Sequence, residues 1–318
     1  PGNFQDEVTK VDLSGQTYAF RTLDETQKPR PTWYQPFFLD LFAGGYKRKL
    51  MESDHTIKEP AVKRIHQSLH AMATILEQAV ADKDLYCADP GMQDVLLHTK
   101  KMFRESCELC AQFPAHAASG DINRFYTFLT FLMIRIKAMR DNDTLIAPTS
   151  FTCSDGIEHG ILLVICKTRS NTDANFSLCI VNCGEGRGLE YHASHVDSTN
   201  GAPIQNLAFE LNNIPNEKIC NTAFWLLVFK NAVWPSAKHD AHFFYDKVLT
   251  YLVGMPILSA LQIGTALQIG INDFRSVPLG GDSSFIVCAK ECLRYITRCA
   301  GMSVAQADHF AMIVDHVT

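Results

Sequence analysis

Apolar positions recurring at helical spacing dominate the first half of the chain, and short continuous apolar runs dominate the second. In "EPAVKRIHQSLHAMATILEQAVADK", Pro60 suits a first helical turn, and Ile65, Leu69, Met72, Leu76 and Val80 keep a 3.6-residue period, so a helix is predicted there. A second is predicted from Gln93 to about Phe113. A third starts near Asp121, with Phe125, Leu129, Leu132, Ile136 and Met139 on one stripe. Residues 1–50 are mixed, with β-like pieces such as "QTYAF" and an aromatic loop, "RPTWYQPFFLDLF".

The pattern changes at "DNDTLIAPTSF", which reads as a polar, proline-containing joint. After it, "HGILLVICKT" and "NFSLCIVNCGEGRGLEYH" read as neighbouring strands separated by the polar loop "RSNTDAN". "TAFWLLVFKNAVW" and "HFFYDKVLTYLVGMPILSALQIG" read as helices, and the doubled LQIG is too short to signal a repeat fold. The chain is therefore divided into a mixed segment (1–50), a helical subdomain (51–144) and an α+β unit of catalytic type (145–318).

Composition narrows the class. A chain of 318 residues with 47% apolar residues can bury a large core. A net charge of -5 supplies no basic field for nucleic acid, and no apolar run approaches the ~18 residues of a membrane span. Eleven cysteines scattered through apolar segments suit a reducing, cytoplasmic setting better than a disulfide scaffold. No signal peptide opens the chain, and "PGNF" reads as an arbitrary start that leaves a targeting segment open.

The candidate chemistry gathers around "PLGGDSSFIVCAKECLRYI". Phe285, Cys288, Ala289, Cys292 and Ile296 form one helical face, which puts Ser283 at a helix N-terminus. Unpaired backbone N–H groups and the positive dipole end there favour an anion, lowering a thiol pKa and helping to hold an oxyanion. A simple serine or aspartate cap is the plainer account of the same residues. His159 stands just before an apolar strand, and Asn182 and Glu185 stand at the end of the next. A histidine at one strand's start and an amide or carboxylate at its neighbour's end can meet across a sheet, the second group fixing the imidazole tautomer for work as a base.

This order of His, then Asn or Asp, then Asp-nucleophile-small-apolar resembles the ubiquitin-like-protein cysteine proteases, a clan that includes SUMO proteases, the adenovirus protease and bacterial deubiquitinase effectors. "DSSFIVC" resembles their nucleophile motif with Ser283 where the family has Cys; "EHGILLVI" has Gly160 where the family has Trp; "VNCGEG" has Asn182 where the family generally has Asp. The resemblance covers about residues 150–300. It implies a papain-like α+β half, a thiol peptidase acting on ubiquitin or a ubiquitin-like protein, with the residue at 283 as nucleophile, His159 as base, Asn182 as orienter and Glu185 as its understudy. It implies no metal or organic cofactor, and its helical-plus-protease layout implies an effector working in host cytosol. The family's oxyanion glutamine has no counterpart in "RSVPLGG"; Gln268 and Asn272 are the nearest candidates. Ser283 is either a near-isosteric replacement of the nucleophile, the favoured account, or native, which makes the chain a serine hydrolase or a non-catalytic interaction module.

Five other motifs carry less. "CELC" (107–110) has no second pair and reads as a buried helix face, not zinc, which needs four ligands. "HASH" (192–195) and "KHDAH" (238–242) read as solvated surface. "GEGRG" reads as a tight turn, lacking the Lys-Ser/Thr of a P-loop. "GDS" is shared with lipase-like esterases, but it comes too late in this chain and "VDHV" lacks their Asp-x-x-His spacing.

Overall fold

In the computed structural model the described residues are 61–81, 90–118, 122–152, 158–168, 175–182, 191–192, 194–196, 203–233, 238, 240–262, 266–269, 283–303 and 306–307. The β-like pieces and aromatic loop expected over 1–50 lie outside them.

The periodic helices form as expected. Helix α1 spans Ala61–Ala81, α2 Pro90–Ala118 and α3 Ile122–Ala138. Leu69, Met72 and Leu76 of α1 are buried, as are Phe125, Leu129, Leu132 and Ile136 of α3. Each stripe is therefore the face that meets the core.

The expected joint at 141–151 is instead a strand. β1 (Thr144–Thr152) pairs antiparallel with β2 (Glu158–Lys167), and Pro148 sits in it opposite Leu162. The proline is tolerated because β1 lies at the edge of the sheet, where its missing N–H breaks no ladder. Helix α2 covers that edge: the Ile146 N–H donates to Ser106 Oγ at 2.9 Å and the Thr144 N–H to Met102 Sδ at 3.3 Å.

The sheet continues through β3 (Asn175–Val181), β6 (Ala208–Pro215) and β7 (Ala266–Ile269), which among the described residues makes five antiparallel strands in the order β1-β2-β3-β6-β7. β4 (Ser194–Val196) and β5 (Pro203–Gln205) form a separate pair. A short helix α4 (Asn216–Ile219) and then α5 (Thr222–Val233) follow β6. The long helix expected next is broken into a π-helical turn (Phe243–Val248), α6 (Thr250–Val253) and α7 (Ile257–Gln262). The break falls at Gly254, whose φ of 77° only glycine adopts without strain. The second LQIG copy has become β7.

Helices cover both faces, so the fold is α+β. Even-numbered residues of β2, Leu162, Val164 and Cys166, join α1, α2 and the last helix, α8 (Ser283–Cys299), in one apolar cluster. Odd-numbered Ile161, Leu163 and Ile165 join α3, α5, the π turn, α6 and α7 in the other. Because α1 and α2 share a cluster with the sheet and α8, the change of pattern near residue 144 divides secondary structure, not the core. Among the described residues no helix is long and apolar enough to cross a membrane.

Candidate functional site

Helix α8 begins at Ser283, where the sequence places a helix N-terminus, and Cys288, Cys292 and Ile296 are buried on it. Its packing fixes which end of the sheet that N-terminus reaches. Tyr295 Oη is 2.9 Å from Ser177 Oγ in β3, and Cys299 lies beside Cys166 in β2. Ser177 and Cys166 are register partners, so both contacts lie at one level of the sheet, and Cys292 beside Cys179 sets the helix direction. From Cys299 back to Ser283 the helix covers about 24 Å at 1.5 Å per residue. From Cys166 back to His159, β2 covers about 23 Å at 3.3 Å per residue. The helix therefore runs from Cys299 back toward the end of the sheet where β2 begins and β3 ends, with Ser283 as its first residue.

His159 and Asn182 lie at that same end. The β2–β3 register ends with Leu162 opposite Val181, so His159 stands three residues before that last pair in β2 and Asn182 one residue after it beyond β3. The half-buried His159 ring stacks on Phe151 across the β1–β2 pair, with centroids 5.9 Å apart and planes at 21°. Strand parity places both His159 and Asn182 on the face of α3, α5 and the π turn, opposite the face on which α8 packs. A group at residue 283 therefore reaches His159 over the end of the sheet, not across its surface.

Asn182 is fully buried and belongs to a polar constellation that the motifs did not reveal. Its Nδ2 donates to Tyr245 Oη at 3.1 Å, and that hydroxyl also lies 3.1 Å from His192 Nε2. Tyr245 reaches this point from the π turn, a helical irregularity found disproportionately at functional sites. Tyr191 stacks on Tyr245 with centroids 4.4 Å apart and planes at 4°, and its hydroxyl donates to Asp246 at 2.7 Å beside His242 Nδ1 at 2.9 Å. The "HASH" motif thus contributes a buried residue: His192 is 4% exposed, contrary to the solvated surface expected. Burial pulls its pKa down to about 3, with the Asn206 backbone opposing the drop. His242, from "KHDAH", is an exposed residue paired with Asp246 at 3.7 Å.

Gln268 lies in β7, opposite Phe209 of β6, while Glu185 and Asn272 fall outside the described residues. Cys107 and Cys110 are buried on α2 as expected, and among the described residues no group of three or more His, Cys, Asp or Glu side chains could hold a metal ion. Burial pushes the Cys107 thiol up to about 12 and raises those of Cys110, Cys179 and Cys292 well above the ordinary range. These four thiols should stay unmodified by iodoacetamide at neutral pH in the folded protein, because the thiolate is the nucleophile. Peptide mapping of the alkylated native protein checks this, and rapid labelling of Cys110 or Cys292 would contradict it.

No family model, no curated protein and no solved structure matches the chain.

Proposed function

We propose that the chain is built as a papain-like thiol peptidase of the ubiquitin-like-protein protease type, removing ubiquitin or a ubiquitin-like modifier in host cytosol as a bacterial effector does. What supports this reading is the element geometry: β2 starts with His159 at the end of the sheet where β3 ends before Asn182, and α8, which starts at Ser283, runs toward that end. The resemblance of "DSSFIVC", "EHGILLVI" and "VNCGEG" to the family's motifs supplies the roles. A thiolate at 283, favoured by the helix N-terminus, attacks the carbonyl carbon of the modifier's C-terminal glycine. The oxyanion collapses to a thioester, and protonated His159 gives its proton to the departing amine. Neutral His159 then takes a proton from water, whose oxygen attacks the thioester and frees the thiol and the carboxylate. Backbone N–H groups at the start of α8 are the available oxyanion donors. Asn182, with Glu185 as the alternative, orients the base.

As it stands the chain carries Ser283, whose hydroxyl stays protonated near neutral pH and gains little from a helix terminus. The Cys form is the active species of this reading. Ser283→Cys should therefore label with a ubiquitin or ubiquitin-like probe bearing a C-terminal electrophile, while the Ser283 protein should not. Strand parity favours a second reading, a protease-like domain that only binds a partner protein, because His159 and Asn182 belong to the face opposite α8. Absence of labelling by the Cys form across the modifier probes, with tight binding of a modifier by the Ser283 form, would replace the enzyme with that module.

A further inference from the structure

Helix α1 carries two histidines four residues apart, in "HQSLH". That spacing advances about 6 Å along a helix and returns to nearly the same side, so both imidazoles belong to one face. They are neighbours in space: the His66 and His70 rings lie nearly parallel, with centroids 6.4 Å apart and planes at 8°. His66 is half-buried at the border of the apolar stripe, and His70 is exposed. Among the described residues neither ring is engaged in a hydrogen bond or an ion pair, so their nitrogens are uncommitted.

A neutral imidazole binds a transition-metal ion through one ring nitrogen, and two histidines at i and i+4 on one helix face are a recurrent half of such sites. Bonds of ~2.0–2.1 Å from one ion to each ring hold the two ring centres about 5 Å apart in a tetrahedral arrangement. The pair has to close by about 1 Å, which a rotamer adjustment of the exposed His70 supplies. In the H-E-x-x-H pattern of zinc peptidases the residue after the first histidine is the general base; here Gln67 stands there, and a carboxamide takes up no proton near neutral pH. The pair can hold an ion but lacks that base. Among the described residues no third His, Cys, Asp or Glu completes a cage, which leaves the remaining coordination positions to water.

We propose that His66 and His70 form a surface chelate for a first-row transition-metal dication of the zinc, nickel and copper class, the ions that imidazole ligands suit. Other histidines of the described residues are less suited. His242 and Asp246 share the i, i+4 spacing, but His242 Nδ1 faces Tyr191 Oη at 2.9 Å and the Asp246 carboxylate accepts the Tyr191 hydroxyl at 2.7 Å. His98 Nε2 lies 3.3 Å from the Asn142 carbonyl oxygen, and His192 is buried. The chelate sits on α1 and uses none of residues 159, 182 and 283, so it stands whether or not the chain is a peptidase. An ion spanning one helical turn binds the folded helix and not the unfolded chain, and it stabilises the fold accordingly.

Nickel is the probe, because soft thiolates of this cysteine-rich chain compete for zinc and for reduced copper. Calorimetric titration of the full, unsubstituted chain with nickel chloride near pH 7.5 should show one strongest site of 1:1 stoichiometry. His66→Asn and His70→Asn should each weaken that site at least about tenfold, the low end of what even outer-shell partners of a metal contribute. The double variant should lose little more than either single one, because a lone imidazole no longer chelates. His98→Asn and His242→Asn should leave the affinity unchanged. Saturating nickel should raise the urea midpoint of the parent and not that of the double variant. If a variant unfolds, acylation of the parent by diethyl pyrocarbonate decides the matter: nickel should slow modification of both His66 and His70, read by peptide mapping. Unchanged nickel affinity in the double variant, a loss confined to one of the two single variants, a loss on His242→Asn, or acylation of His66 and His70 that nickel does not slow would each reject the chelate.

Discussion

Replacing His159 by alanine in the Ser283→Cys protein should lower cleavage of a fluorogenic modifier C-terminus by a hundredfold or more. A positioned general base contributes about 10²–10⁴ in rate, and His159 is the imidazole that begins β2 at the end of the sheet where α8 starts. On the proposed mechanism two functions are lost together. The thiol at 283 loses the imidazolium that stabilises its thiolate, and the departing amine loses its proton donor. Folding should suffer little, since His159 is half-buried at a strand start and its ring contact with Phe151 is one face of a larger aromatic cluster. Comparison of turnover with thermal unfolding separates the two effects. Asn182→Ala should cost about tenfold, because it removes one hydrogen bond to a base that is still present. Turnover that survives in His159→Ala would remove this histidine from the mechanism. Its place on the face opposite α8 would then be the reason, since the ring would never round the end of the sheet.

That question of face could not have been read from the sequence. An alternating strand declares its faces, but "ILLVIC" is apolar throughout because helices cover both sides of the sheet, and its residues are 0–3% exposed. Parity carried no signal there. What was legible came from strong periods: the stripes of α1 and α3, the two apolar strands β2 and β3, and the helical face of Cys288, Cys292 and Ile296 after "PLGG". β1 was obscured by Pro148, a residue that argues against a strand everywhere except at an edge, and the edge is defined only once the strands pair. β6, "AFELNNIP", alternates only in part and carries polar residues at half-buried positions. The broken helix after His242 was masked by continuous apolarity, although Gly254 followed shortly by a proline marks a helix end. His192 and Tyr245 were hidden for a different reason. Each is polar, and their burial depends on a contact between positions 53 residues apart that no local pattern encodes.

Acid should destabilise this protein earlier than its carboxylates require, and His192 is the reason. Burial holds its folded pKa at about 3, far below the ~6.5 of the unfolded chain. The unfolded state therefore binds the proton first. The full contribution of the neutral ring is present above pH ~6.5 and is lost as the pH falls toward 3, at about 1.4 kcal/mol per pH unit. Between pH 6.5 and 5 that amounts to about 2 kcal/mol, in a window where ordinary carboxylates, with pKa values near 4, have scarcely begun to titrate. His66, whose pKa is also lowered, chiefly by burial, acts in the same direction. His192→Gln keeps a hydrogen-bond acceptor for Tyr245 but cannot take a proton, so its unfolding free energy should fall less over this range. Urea denaturation of both proteins at pH 7, 6 and 5 measures the difference directly. The curves should converge as the pH drops, because the unfolded chain takes up a proton on His192 that the folded state refuses and that the glutamine of the variant cannot bind. Parallel curves for the two proteins would mean that the His192 ring is solvated or already charged in the folded state.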